Sequence, residues 1–281
     1  MTQKKIFYPF ITTSKMNQQN NKNNKNKISL ILLTKNESEN IKANYLWLNN
    51  CKIINELIVI DDNSTDDTIK QINNLKKQKT KIFKKTLNND FSAQHTFAIK
   101  NCSNNWILWL DADEKPTKKL INFLNNFSFP QNINSFSFKR SDYFLGKKLK
   151  YGETGHLDFI RLFDKNYGKF TGKIHETWNN TGTNQKTKLI ITHYSHKNLK
   201  GLIKKINFYT SIRSKELFDQ KTKTSLIQII FYPLIKFIQN YFLKLGFLDS
   251  TQGIIMALSM SFHSFLVRAK LWHLWQLQSH R

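Results

Sequence analysis

The chain has 281 residues, 40% of them hydrophobic, and carries 44 Lys and Arg against 19 Asp and Glu, a formal net charge of +25. That supplies a sizeable core for one large domain, or for a domain with an appendage, and it favours an anionic partner: nucleic acid, an acidic membrane surface or a phosphorylated substrate. A bias toward Lys, Asn and Ile accounts for about half of the excess charge, and only two cysteines, Cys51 and Cys102, exclude a disulfide framework and make a reducing cytoplasm the default.

Residues 1–27 end in an Asn/Lys/Gln tract with little to bury and are expected to form a disordered leader. Ile6 to Ile11 is apolar but too short for the core of a secretory signal. Ile28 to Leu33 reads as the first strand and ends in Thr34 to Ser38. Ser38 or Asn36 is expected to cap the helix that follows, which carries Ile41, Tyr45 and Leu48 on one face. Leu57 to Ile60 is a second strand ending in Asp61 to Asp67, and the next helix carries Ile69, Ile72 and Leu75. Ile82 and Phe83 mark a short third strand, and Phe91 to Cys102 a helix. Trp106 to Leu110 is a fourth strand that runs straight into Asp111, Asp113 and Glu114.

Unbroken apolar runs of this kind fit strands buried on both faces, and the alternation of strand and helix predicts a parallel sheet. The clusters Thr34 to Glu37, Asp61 to Asp67 and Asp111 to Glu114 would then share one sheet edge, where open α/β sheets bind ligands. Asp111 and Asp113 offer oxygen ligands to one Mg2+ or Mn2+, with a nucleotide diphosphate completing the shell. The same acids before Pro116 and Thr117 are also good helix-start chemistry. Glycine does not occur before Gly146, which excludes the dinucleotide fingerprint and the P-loop.

Beyond Lys115 the pattern predicts a helix at Thr117 to Phe127 and strands at Ser135 to Arg140, Phe144 to Tyr151, Phe159 to Phe163 and Leu189 to Tyr194, antiparallel or mixed. From Leu199 the chain reads as helical: Leu199 to Phe218, Ser225 to Leu245 with a kink or interruption at Pro233, and Thr251 to Leu277 after a break at Gly246 to Ser250. Gly253 to Val267 comes near the roughly 20 apolar residues of a membrane span. Two readings are preferred to spanning: helices lying on a membrane surface, rimmed by Lys236, Lys244, Arg268 and Lys270, or helices packed on the preceding domain.

In order and spacing, Ser29 to Glu37, Ile58 to Asp66 and Trp106 to Glu114 resemble the family 2 glycosyltransferases of GT-A fold. Leu149 to Gly152, Ile160 to Phe163, Ile174 to Glu176, His193 to Ser195 and Gly246 to Asp249 are similar to the lipopolysaccharide core branch that resembles heptose β-1,4-glucosyltransferases. The resemblance spans residues 28 to about 270. It implies an α/β GT-A fold, a Rossmann-like nucleotide-sugar fold with a mixed central sheet, over residues 28–198. Residues 28–115 form its nucleotide-sugar half and 116–198 its acceptor half. Residues 199–281 are an amphipathic helical region.

By the same resemblance Thr34, Asn36 and Glu37 border the base and ribose, and Asp62 accepts a hydrogen bond from uracil. Asp111 meets the ribose or a metal-bound water, and Asp113 ligates the metal, completing a DXD motif. His175 is a further metal or acceptor candidate, or a structural histidine in a turn. Where relatives often carry Arg-Asn after Asp90-Phe91-Ser92, this chain has His95-Thr96, so no arginine contact to phosphate is carried over.

The implied activity is inverting, metal-dependent transfer of a hexose, glucose in the first instance, from a UDP-sugar. The acceptor is a lipopolysaccharide core or related envelope glycan, anionic and lipid-anchored, met by a cytoplasmic enzyme peripheral to the inner face of the cell membrane. Glu176 is the first candidate for the base, with Asp158 and Glu153 as alternatives. Arg161 is read either as a fork donor to diphosphate or acceptor phosphate, or as a structural ion pair. A polyprenyl phosphate or another glycan or peptide acceptor is the alternative on the same fold. A nucleic-acid-binding protein is the rival of another class; no helix-turn-helix, zinc or RNA motif is visible, and acids at three strand ends would repel phosphate.

Overall fold

The computed structural model describes residues 26–75, 79–88, 90–154, 157–172, 176–196 and 198–279. Residues 1–25 of the expected leader, and His175, lie outside the described residues. Strands β1 (Ile28–Thr34), β2 (Ile54–Asp61), β3 (Lys79–Lys84) and β4 (Trp106–Trp109) alternate with helices α1 (Ser38–Asn44), α2 (Thr68–Asn73) and α3 (Phe91–Lys100). They lie in the parallel order β3-β2-β1-β4. Side chains alternate across a strand, and here both faces are covered. Leu30, Leu57 and Leu108 pack on one face with Ile41, Leu48 and Leu120. Ile31, Ile58 and Ile107 pack on the other with Ala98, Phe163 and Trp178. Burial on both faces is why these strands read as continuous apolar runs.

The second half completes the sheet. It contains β5 (Glu114–Pro116), α4 (Lys118–Asn125), β6 (Ser135–Phe144), β7 (Lys147–Lys148), β8 (Asp158–Asp164), β9 (Gly168–Thr171), β10 (Thr177–Asn180) and β11 (Asn184–His196). The order continues β4-β8-β6-β11-β5, with β7 on β6 and β9 paired with β10 in a separate ribbon. β8 is antiparallel to β4 and β6, β11 is parallel to β6, and β5 is antiparallel to β11. The result is a mixed central sheet with flanking helices, followed by a helical region: α5 (Leu199–Asp219), α6 (Leu226–Ile238), a π turn at Gln239–Leu243, a 3-10 turn at Gly246–Asp249, and α7 (Ser250–Ser279).

Two local expectations fail, and a third is narrowed, each for a physical reason. Phe144 to Tyr151 is not one strand, because Leu145 (φ 46°) and Gly146 (φ 80°) take left-handed backbone and turn the chain into the two-residue β7. Neither Ser38 nor Asn36 caps α1; Asn36 is itself left-handed (φ 56°), and its Oδ1 accepts from Thr65 N at 2.7 Å, tying β1's end to β2's loop. Pro233 does not interrupt α6, which runs on into the π turn. Pro233 is buried, and its carbonyl accepts from Ser261 Oγ of α7 at 2.8 Å, so packing holds the helix through the missing donor.

At the edge of the sheet away from these loops, Glu56 of β2 is fully buried. It accepts from Ser29 Oγ (2.5 Å), Ser103 Oγ (2.5 Å), Ser103 N (2.8 Å) and Lys81 Nζ (3.1 Å). Burial works to raise its carboxyl, but the Ser103 and Ser29 hydrogen bonds outweigh that and hold it below its ordinary value. Replacing it leaves several donors unmet, so Glu56→Ala is expected to lower unfolding stability in urea by about 2–4 kcal/mol. Because the folded carboxyl is depressed, its contribution is complete above the unfolded value of about 4.3 and is lost as the pH falls below it. The gap between wild type and Glu56→Ala should therefore narrow on acidification, and a pH-independent gap would contradict the assignment.

Candidate active site

The carboxyl ends of β1, β2 and β4 open on the same side of the sheet, beside the start of α5. A cleft of about 410 Å³ lies there, bounded by Asn36, Glu37, Asp66, Asp113, Tyr194 and Lys205, among others. Its chemistry starts from three acids within four residues at the end of β4. Asp111 and Glu114 share one cation: Arg161 Nη2 of β8 donates to Asp111 Oδ2 at 2.7 Å and to Glu114 Oε1 at 2.6 Å. The guanidinium also lies 3.9 Å from the centre of the Trp109 ring. Burial opposes the Arg161 charge, but Asp111 and Glu114 outweigh it and lift its pKa above the ordinary value. Burial also pushes Asp111 up, yet Arg161 holds it below its usual range. For Glu114, which is fully buried, burial wins over Arg161 and the carboxyl stays raised.

Asp113 turns the other way. Its Oδ2 lies 3.4 Å from His193 Nε2 and 3.5 Å from Lys205 Nζ of α5. His193 Nδ1 donates in a short bond to Asp142 Oδ1 of β6, and Asp142 pairs with Arg140 Nε at 3.1 Å. Burial would lower the His193 pKa; Asp113 and Asp142 outweigh it and raise it to about 10. Burial would raise Asp113; His193 and then Lys205 hold it far below the carboxylate range. The main chain of this loop is clamped from α1's end, where Tyr45 Oη donates to Asp111 O at 2.7 Å and Asn44 Nδ2 to Ala112 O at 3.4 Å.

The three base candidates fall in different places. Glu176 lies among the acids: burial first, and then Asp111, push its carboxyl up to about 8. It is 3.9 Å from Nδ1 of His95, whose ring packs between Trp109 and Phe170 at 4.7 and 4.5 Å. That nitrogen also lies 3.0 Å from Phe91 O, and burial lowers the His95 pKa to about 4, so the ring stays neutral. Glu153 instead holds Lys236 Nζ at 2.8 Å and Asn240 Nδ2 at 3.2 Å in the helical region. Asp158 is exposed at the start of β8.

Of the nucleotide-side candidates, Asn36 and Glu37 line the cleft with Asp113. Glu37 Oε2 accepts from Asn40 Nδ2 at 2.6 Å, and its backbone N–H donates to Thr68 Oγ1 at 2.7 Å. Thr34 Oγ1 donates to Asp61 Oδ1 at 3.2 Å. Asp62 accepts from Lys35 Nζ at 2.7 Å and from Leu87 N at 3.0 Å. Thr34 and Asp62 are buried at the strand ends and do not form the cleft wall.

Among the described residues no group of three or more His, Cys, Asp or Glu is arranged to hold a metal. Asp111, which the sequence offered as a ligand, is turned onto Arg161. What remains is one ionised carboxylate, Asp113, facing one imidazole nitrogen whose orientation Asp142 fixes. As His193 Nε2 carries a proton here, the set would fit Mg2+ or Mn2+ only once that proton is displaced, and then as part of a shell completed by substrate oxygens, not as a closed protein cage. The sequence placed His193 in a matching motif without a role, and did not single out Asp142 or Lys205. His193 closes an apolar strand and was visible, but its partner depends on the pairing of β11 with β6 and β5.

The profile of the family described as Glycosyl transferase family 2 matches residues 29–194. The chain is 29% identical over 266 residues to an uncharacterized glycosyltransferase of Rickettsia prowazekii (strain Madrid E), covering 87% of this chain and 86% of the relative. It is 24% identical over 224 residues to the lipopolysaccharide core biosynthesis glycosyltransferase LpsC of Rhizobium meliloti, covering 77% of this chain and 82% of that one. It superposes on the mannosyltransferase PcManGT from Pyrobaculum calidifontis, in complex with GDP-Man and Mn2+, with a TM-score of 0.51 and 11% identity, over 90% of this chain and 88% of that one. This last likeness is one of fold.

The His193 pairing has a pH signature in the metal-free protein. Its folded pKa is raised, so its contribution to stability is complete below the unfolded imidazole value of about 6.5 and is lost as pH climbs. The loss ends near the folded value of about 10. Urea midpoints in EDTA should fall across that window in wild type and fall less in His193→Gln. Equal slopes would mean that His193 is not held as a cation.

Proposed function

The chain belongs to glycosyl transferase family 2, and from that premise we propose that it moves a hexose from a UDP-sugar, with inversion, to an anionic, lipid-anchored glycan of the lipopolysaccharide core type. The enzyme class follows from the family; donor and acceptor are the proposal. The observation that carries it is the division of the acids at the end of β4. One carboxylate, Asp113, is kept ionised at the cleft, while a second acid system, Glu176 beside Asp111, has a carboxyl raised to about 8. Two carboxyl systems pushed apart in pKa mark a division between charge binding and proton transfer. The complex of PcManGT with GDP-Man and Mn2+ supports a nucleotide-sugar donor and a divalent cation, and the name of LpsC supports the acceptor class.

In this reading Asn36 and Glu37 border the nucleoside at the mouth of the cleft, with Thr34 and Asp62 behind them. Asp113 would hold the Mg2+ or Mn2+, joined by His193 once the metal displaces its Nε2 proton, and the ion would supply Lewis-acid neutralisation of the leaving diphosphate. Lys205, 3.5 Å from Asp113, adds a positive charge at the same wall. Glu176 accepts the proton of the acceptor hydroxyl, and a base whose pKa lies near the working pH does this most effectively. Arg161 locks Asp111 and Glu114 in place through its two ion pairs. The enzyme then works in the cytoplasm, at the inner face of the cell membrane.

A polyprenyl-phosphate acceptor is the second reading. The observation in its favour is that the helical stretches Leu226–Leu243 and Gly246–Ser279 are long and apolar enough, by length and composition, to cross a membrane. Transfer assays with a core oligosaccharide and with a polyprenyl phosphate separate the two.

Calorimetry with UDP should show binding that requires Mn2+ and is lost in Asp113→Asn; metal-independent binding would refute the donor site. Glu176→Gln should keep UDP binding but lower kcat by roughly 10²–10⁴-fold. Since the base must be ionised, kcat/KM in wild type should rise with pH up to about 8 and then level off. A wild-type profile without that rising limb would remove Glu176 from the role.

A further inference from the structure

The helical region leaves an apolar face uncovered. On α6 and the π turn, Ile227, Ile230, Phe231, Leu234, Ile238 and Phe242 are all exposed. Their spacing of three to four residues sets them along one side of a helical stretch of roughly 27 Å. Leu226 and Leu243, at its two ends, are 71% and 75% exposed. On the opposite side Pro233 and Asn240 are buried. On α7, Leu258, Phe262, Phe265 and Trp272 form a second exposed stripe at the same periodicity. The two helices are joined: Ser261 Oγ bonds to Pro233 O, and Arg268 lies 3.9 Å from the Tyr232 ring centre. Apolar stripes on two helices that touch one another far exceed the scattered exposed side chains that need no explanation.

Charge says what covers this face. From Gln220 to Arg281 the only acid is Asp249, while the same stretch holds Lys221, Lys223, Lys236, Lys244, Arg268 and Lys270. Asp249 is buried and accepts from Lys150 N (3.0 Å) and Tyr151 N (2.9 Å), so the region presents no exposed acid. Lys221 and Lys223 precede α6, and Lys244 follows its π turn. A second copy of the chain would set these lysines against their like, with no acid from this region to pair them. A bilayer bearing anionic headgroups offers both the apolar layer and the counter-charge.

We infer that α6, its π turn and the outward stripe of α7 form one docking surface that seats this chain on an anionic lipid bilayer. The apolar side chains enter the boundary between headgroups and acyl chains, and the flanking lysines meet headgroup phosphates. The helices lie in the interface and do not cross it. Lys236 and Asn240, on the inner side of the same stretch, hold Glu153 of the acceptor half, and threading α6 through the bilayer would tear that ion pair out into hydrocarbon. The surface gives the lipid-anchored acceptor of the preceding reading a place to be met. It is tested by binding alone, so the two can fail separately.

The test is flotation of the full chain with vesicles of phosphatidylcholine, alone or with about one-third phosphatidylglycerol. Wild type is expected to float with the anionic vesicles, more weakly with neutral ones or in high salt, and to be stripped by alkaline carbonate. Ile227→Gln/Phe231→Gln/Leu234→Gln alters only exposed side chains. It should partition at least about tenfold less while keeping its circular dichroism and its urea midpoint. Lys221→Gln/Lys223→Gln should weaken binding to anionic vesicles and leave the neutral case unchanged. Equal flotation of wild type and the triple variant would overturn the inference. So would resistance to carbonate, which would make α6 a spanning helix. A wild-type dimer that stays in solution and that the triple variant splits would assign the face to a second copy instead.

Discussion

Three carboxylates within four residues, at the end of a buried strand, cannot be left to repel one another. Two unit charges about 4 Å apart interact by roughly 4 kcal/mol at the effective dielectric of a partly buried site. Asp111, Asp113 and Glu114 are held together by cations from elsewhere in the chain: Arg161 from β8, His193 from β11 and Lys205 from α5. The acids belong to the first half of the sequence and all three cations to the second. The cluster is therefore a joint between the halves. A buried ion pair of this kind is weak support for overall stability, but removing one partner leaves the other charge uncompensated. That asymmetry makes the acid loop dependent on the strands that follow it.

Strand register delivers those cations. After Asp113 the chain enters β5, which pairs antiparallel with β11 so that Glu114 faces His193, and Tyr194 N bonds to Asp113 O at 2.9 Å. β11 in turn runs parallel to β6, with His193 opposite Asp142. One histidine thus stands between two strands, with an acid on each side. A slip of one residue in β11 would turn the ring to the other face of the sheet. Arg161 arrives by a similar route, on β8, which pairs with β4 at Leu108 and Leu162 just before the acids begin.

The first half was legible because its signals are local. β1, β2 and β4 are buried on both faces, so each shows as an apolar run followed by polar residues, and the parallel order follows from the crossovers. Asp111 and Asp113 were legible as acids but their separate partners were not, because Arg161 claims one and His193 the other across about 50 and 80 residues of chain. Glu176 was legible as a candidate from its place in the second half of the chain. Its contrast with Glu153 was not, since only the folded chain shows Glu153 held by Lys236 and Asn240. The short β7 was misread because the left-handed turn falls on Leu145, a residue that gives no turn signal. The helical region was read as either packed or lying on a surface; in the structure one side is packed on the preceding domain and another is left exposed.

That double use depends on how the corner between α6 and α7 is built. A Cβ on Gly253 would stand 1.9 Å from Gly246 O, and one on Gly246 would stand 2.5 Å from Asn240 O. The backbones of the π turn, the 3-10 turn and the start of α7 are thus in direct contact, which leaves the two helices little freedom to hinge. The same corner is fastened to residues 147–153 of the acceptor half. Asp249 receives the N–H groups of Lys150 and Tyr151, Lys147 Nζ bonds to Asp249 O at 3.2 Å, and Glu153 reaches back to α6. Each of the two acids in this corner is used to join the helices to the sheet domain. None is left outside to repel an anionic surface. A plate fixed in this way sets the orientation of the acceptor half relative to whatever α6 rests on. Under the proposed reading, in which the acceptor is anchored in that same surface, orientation restricts the search for the reacting hydroxyl more than affinity does.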